Sequence, residues 1–195
     1  MSRLDLIVGP NGAGKSTFVE LVVADRRPGV PFVNADEIAA GRWPEDAMRH
    51  AREASIAAEQ ARDALIAAGE PFIAETVASH ESKVELVRSA RRAGYHVHLV
   101  VVLVPEELSV QRVAARVVAG GHQVPEAKVR SRYQRLWGNV VRMIELADST
   151  EVFDNSGTGP VTVATFVAGE PIGRPRWPLW TPSPLADHWP AVDRG

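Results

Sequence analysis

The sequence predicts an α/β fold: a mainly parallel sheet covered by helices on both faces. Two observations carry this. Short apolar runs rich in β-branched residues alternate with helical segments through most of the chain. A glycine-rich break also joins the first such run directly to a helix, the junction at which α/β sheets bind ligands.

Leu4, Leu6, Ile7 and Val8 read as a first buried strand, broken at 9–14 and followed by a helix over Lys15 to Ala24. Pro31-Phe32-Val33 is a second short strand. Pro44 to Ala68 is alanine-rich with Glu and Arg, and reads as one long helix ended by Gly69. Pro71 to Ala74 is a third strand, and Ser79 to Ala93 a helix stopped by Gly94. Tyr95 to Val104 is the clearest central strand. A helix from about Pro105 to Ala119 opens with Glu106 and Glu107, carboxylates that suit a helix N-terminus. The loop Gly120 to Val124 leads to another helix, about Pro125 to Ala147. Glu151–Phe153 and Val161–Val167 are the last strands. Residues 1–170 form the expected domain, with a lid at about 112–132. From Pro171 to Gly195 the chain holds six prolines and three tryptophans without periodicity, and reads as an extended strap laid on the domain.

Composition narrows the function. Twenty-two basic against 24 acidic residues leave a net charge of −2, with no basic excess for a nucleic-acid surface. With no cysteine, disulfides, thiolate metal sites and a cysteine nucleophile are excluded. The apolar run Val97 to Val104 is too short to span a bilayer, and the N-terminal one ends at Gly9, so no secretory leader is read. The expectation is a soluble, cytoplasmic protein acting on small molecules rather than on nucleic acid or membrane.

Gly9-Pro10-Asn11-Gly12-Ala13-Gly14-Lys15-Ser16 fits G-x-x-x-x-G-K-[ST] in its required strand–loop–helix setting. Glycines let backbone N–H groups turn inward around phosphate oxygens, and the helix N-terminus adds positive dipole. Lys15 reaches the β- and γ-phosphates of ATP, Ser16 offers a hydroxyl to Mg2+, and the neighbouring Thr17 lies by the α-phosphate. The fold class sharpens to a P-loop NTPase three-layer sandwich, nucleoside-monophosphate-kinase-like, with a helical lid.

Within that class, an N-K-x-D guanine reader is absent, and the strand Val97–Val104 ends in Pro105-Glu106 rather than a Walker B aspartate. Small-molecule kinases need a base for the acceptor hydroxyl and arginines for the transferring phosphoryl group. Asp36 follows the second strand closely and is the candidate base, or else it or Asn34 caps the next helix; Glu37 is the fallback. Glu75 ends the third strand beside Thr76, and suits either acceptor hydroxyls or a magnesium-bound water. On the lid, Val110, Val113, Ala114, Val117 and Val118 form one face, with Arg112 and Arg116 opposite. In the following helix Val129, Tyr133, Leu136, Val140 and Ile144 mark the core stripe, flanked by Arg130 and Arg132, with Arg135 and Arg142 behind. Arginines on a mobile lid close onto ATP and stabilise transition-state charge. His122 in the lid loop is a candidate contact to acceptor or phosphate, while His96 and His98 are expected on the sheet.

With these motifs assembled, the chain resembles the zeta toxin family of P-loop kinases over about residues 3–157. The matching stretches are 9–17, Asn34 to Ala39, Glu75-Thr76, Gly94-Tyr95, Arg116 to Glu126, Tyr133 with Asn139, and Phe153 to Gly157. The resemblance implies ATP-dependent phosphorylation of UDP-N-acetylglucosamine, with Lys15 and Ser16 on ATP and magnesium. It implies Asp36 as general base and Glu75 as a substrate-side acid. It puts Arg116 and one of Arg130 or Arg132 on phosphate, and Asn155 and Ser156 by the adenine. A small helical antitoxin partner is a further implication. The chain lacks the longer substrate-binding insertions of typical members and is similar to the compact branch of the family.

Overall fold

The computed structural model describes residues 2–23, 26–118 and 124–191. Seven strands form one sheet in the order β2-β3-β1-β4-β5-β6-β7. They are β1 Arg3–Val8, β2 Phe32–Val33, β3 Phe72–Thr76, β4 His96–Leu103, β5 Ser149–Asp154, β6 Val161–Val167 and β7 Glu170–Pro171. The first five pair in parallel, and β6 and β7 close one edge antiparallel. β1 lies between β3 and β4, with Ile7 in register with Glu75 and with Val100. The carboxyl ends of β1 and β3 therefore meet at one edge.

Strand alternation divides the core between two faces. Leu4, Leu6 and Val8 point with Leu99 and Val101 to one face, covered by α3 (Ala51–Ala68), α4 (Ser82–Arg92), α6 (Glu126–Leu146) and α7 (Ser183–His188). Ile7, Ile73, Val100 and Val102 point to the other, covered by α1 (Lys15–Phe18) and the π-helical turn Val19–Val23 that continues it. The α/β sandwich with a mainly parallel central sheet is the architecture expected above.

Several element boundaries differ from the sequence reading. Helix 15–24 keeps only one α turn before it widens into π geometry, over a run holding three valines whose branching crowds α-helical packing. The helix expected over 44–68 begins at Ala51. It is preceded by turns and by a separate helix α2, Ala35–Arg42, because Pro44 interrupts the backbone pattern just after Trp43. α5 spans Glu106–Val118, and its apolar face is not a uniform core stripe. Val113 is buried, but Ala114 is exposed and Val118 is 91% exposed. Val110, Val113, Ala114 and Val117 instead border a cleft of about 250 Å³ against Val124, Pro125 and Val129. The stripe expected on α6 is buried throughout.

After β7 the chain crosses back over the sheet face that α6 covers. Leu185 and Trp189 join the main core, Trp189 against Phe166, and the Trp177 indole N–H donates to the Trp189 carbonyl at 2.6 Å. The short helix α7 was not legible in the proline-rich sequence; it starts where proline is compatible with a first turn. Among the described residues no helix is long and apolar enough to cross a membrane.

Candidate active site

The loop between β1 and α1 is shaped by close approach. Gly12 has φ 71°, and a Cβ there would lie 2.8 Å from the Ser109 carbonyl oxygen. Gly14, the N-cap of α1, has φ 85°, and a Cβ would lie 2.7 Å from Nδ2 of Asn155. Glycine alone takes both conformations without strain. Neighbouring elements brace the loop: Ser109 Oγ donates to the Asn11 carbonyl at 2.6 Å, and Asn155 Nδ2 to the Ala13 carbonyl at 2.8 Å. Asn155 comes from the loop after β5, where Ser156 N–H donates to Asp154 at 2.8 Å.

Lys15 is 7% exposed, and its Nζ donates to the Pro10 carbonyl at 2.9 Å, with Oε1 of Glu75 at 3.8 Å. Burial pushes the ammonium below the usual lysine range; Glu75 and Asp36 oppose this, and Arg116 and Arg132 add to it. Charges from four separate elements therefore act on one lysine, and Glu75 is the one within ion-pair distance. Arg132 is lowered in turn by burial, with Asp36 opposing.

Glu75 is the hub of the arrangement. Its Oε2 accepts from Ser16 Oγ at 2.9 Å and from Asn34 Nδ2 at 3.0 Å. From its strand-end position Glu75 is expected to suit either acceptor hydroxyls or a magnesium-bound water, and the family resemblance implies the acceptor side. The structure brings the carboxylate to the serine and lysine of the phosphate loop. Asn34 caps α2 by accepting from the Asp36 N–H at 2.8 Å. The two readings of this segment are thus compatible: Asn34 is the cap, and the Asp36 carboxylate in the first turn is left exposed. Glu37 beside it is raised by burial and by Glu75 and Glu20. Thr76 is half-buried just beyond Glu75, while Thr17 is exposed on α1.

The arginines of α5 and α6 divide. Arg112 packs beside Gly12, and Arg116 acts on Lys15 from the same helix. Arg130 is turned elsewhere: its Nε donates to Glu126 at 2.8 Å and its Nη2 to Glu107 at 3.0 Å, with Glu106 at 3.5 Å. Three carboxylates occupy its guanidinium. His122 lies outside the described residues. His96 and His98 share Ser149 Oγ on the sheet, at 3.2 and 2.9 Å.

The arrangement offers an anion cradle, a buried cation for phosphate, two oxygen donors for a hard cation, and an exposed carboxylate in the first turn of α2 whose charge acts on Lys15. Oxygen donors such as the Ser16 hydroxyl and the Glu75 carboxylate fit magnesium.

The profile of the AAA domain family matches residues 4–136. No curated protein matches the chain. Among solved structures, a chain of the AvrRxo1-ORF1:AvrRxo1-ORF2 complex with ATP aligns at TM-score 0.72 and 17% identity, over 100% of this chain and 66% of its own. A chain from the PezAT chromosomal toxin-antitoxin system of Streptococcus pneumoniae aligns at TM-score 0.61 and 13% identity, over 87% of this chain and 74% of its own. A chain of the Pnkp1/Rnl/Hen1 RNA repair complex gives TM-score 0.59 and 18% identity, over 83% and 48%. This chain spans 60–66% of the length of the AvrRxo1 chains it matches. At these identities the likeness is one of fold.

Proposed function

The chain belongs to the AAA domain family, and from that premise we propose that it is an ATP-dependent small-molecule kinase, passing the γ-phosphate to an acceptor hydroxyl. The observation that carries the reading is the junction of the phosphate loop with the end of β3, where Glu75 accepts from Ser16 at 2.9 Å and lies 3.8 Å from Lys15, with the charges of Asp36, Arg116 and Arg132 also acting on that lysine. Lys15 and the loop amides bind the triphosphate tail. Ser16 and Glu75 would hold magnesium, which would neutralise phosphate charge. Arg112, Asn155 and Ser156 border the nucleotide. Asp36 takes the acceptor proton as the new O–P bond forms and the bridging bond to ADP breaks. Arg116 and Arg132 neutralise the equatorial oxygens, and Arg130 serves only if it leaves its carboxylates. Asn34, Thr76 and, from the lid loop, His122 belong to the acceptor side.

UDP-N-acetylglucosamine is the first acceptor to try, on the resemblance to zeta toxins. The AvrRxo1 neighbour comes from an ORF1:ORF2 complex and the PezAT neighbour from a toxin-antitoxin system, which supports an antitoxin-like protein partner. The test is incubation with magnesium-ATP and a panel of nucleotide sugars and hydroxylated metabolites, read by mass spectrometry. The expected product is one acceptor heavier by one phosphate, with ADP in equal amount. ADP release that no acceptor stimulates would replace the kinase reading with that of an ATPase or a nucleotide-dependent interaction module.

A further inference from the structure

Asn139 stands two turns along α6 from Arg132, on the same face, and is 8% exposed. Its Nδ2 donates to the Ala78 carbonyl at 2.8 Å. Its Oδ1 accepts from Nη2 of Arg142 at 2.6 Å, which orients the amide so that the nitrogen faces Ala78. Arg142 itself forks onto Glu81: Nη1 donates to Oε1 at 2.8 Å, and Nη2 to Oε2. Ala78 and Glu81 belong to the loop joining β3 to α4, which leaves the sheet immediately after Glu75 and Thr76.

Ala78 is 1% exposed and has φ 59°. An alanine avoids this left-handed conformation because its Cβ crowds the backbone. Such a residue persists only where its surroundings over-determine it, and it marks a segment whose geometry is being held. The holding bonds come from α6, the helix that also carries Arg132. A single helix thus fixes the loop that follows the carboxylate and carries Arg132, whose charge acts on Lys15 beside that carboxylate.

We propose that Asn139 and Arg142 are positioning residues that clamp the β3–α4 loop in its left-handed form, setting Glu75 and Thr76 in register with Arg132. The inference rests on the kinase reading for its consequence in turnover, but not for the clamp itself. Losing the bond lets Ala78 relax towards negative φ and moves the end of β3. A glycine at 78 takes the left-handed form freely, so it substitutes for the clamp.

The experiment compares Asn139→Ala, Ala78→Gly and the double variant. Amide hydrogen exchange over 76–82 is read in each, with kcat and KM for magnesium-ATP using UDP-N-acetylglucosamine as the acceptor probe. Asn139→Ala is expected to speed exchange across the loop about tenfold and lower kcat about tenfold, with KM for ATP unchanged. Ala78→Gly stays near the parent, and the double variant recovers most of both losses. Unchanged exchange in Asn139→Ala, or a double variant that exchanges as fast as the single one, would overturn the clamp. A parent protein that leaves the acceptor probe unphosphorylated counts against that acceptor, and the exchange data still decide the clamp.

Discussion

The Ser16 hydroxyl donates to Glu75 at 2.9 Å, joining two residues that are 59 positions apart in the chain. This contact ties the phosphate loop to the end of β3 and makes Glu75 a partner of the loop rather than of the acceptor alone. Exchanging its charge for an amide tests the assignment. Glu75→Gln is expected to keep the fold and lower kcat by about 10²–10³-fold, with a raised magnesium requirement. Steady-state kinetics across a magnesium titration checks this.

Asp36→Ala is expected to leave ATP binding intact while lowering turnover by about 10²–10⁴-fold. The cap on α2 survives, because Asn34 bonds the backbone N–H of residue 36 and not its side chain. Calorimetric ATP binding beside single-turnover rates separates the two effects. Glu37→Gln, with turnover within a few-fold of the parent, excludes the neighbouring carboxylate as the base.

Lys15 carries a stability signature of its own. Its pKa in the folded protein is lowered chiefly by burial, so the unfolded chain binds more protons there and this group's contribution to stability rises with pH. The cost of burying the charge is fully present below the folded pKa and fades as pH climbs through it towards the ordinary lysine value. Lys15→Met is therefore expected to raise the melting temperature of the nucleotide-free protein by a few degrees near neutral pH. The gain shrinks at alkaline pH, and the melting shift induced by ATP disappears. Scanning fluorimetry at a series of pH values reads all three effects.

The arginines are separable by single substitutions. Arg116→Ala and Arg132→Ala are each expected to lower kcat by about 10²-fold or more. Arg130→Ala changes kcat within a few-fold, because its guanidinium is occupied by Glu107 and Glu126. Rates measured at saturating ATP check the contrast.

Much of this was readable from sequence for a physical reason. Parallel strands buried on both faces appear as continuous apolar runs, and the phosphate loop needs its glycines, lysine and serine within eight consecutive residues. What depends on strand order was not readable. Glu75 meets Ser16 because β3 lies beside β1, a non-local pairing that no local pattern reports. The trapping of Arg130 depends on how α5 and α6 register against each other, which places Glu107 within reach of it. The clamp on Ala78 joins positions 61 apart. By contrast, the Asn34 cap spans two residues and was legible as one of two local options.

A co-crystal structure with magnesium and a non-hydrolysable ATP analogue tests the central claim most directly. The account expects the triphosphate wrapped by residues 9–17, the metal between Ser16 and Glu75, and the γ-phosphate facing the Asp36 carboxylate across an open acceptor space. A triphosphate bound away from the loop, or a γ-phosphate opening into a cavity that Asp36 does not border, would contradict it.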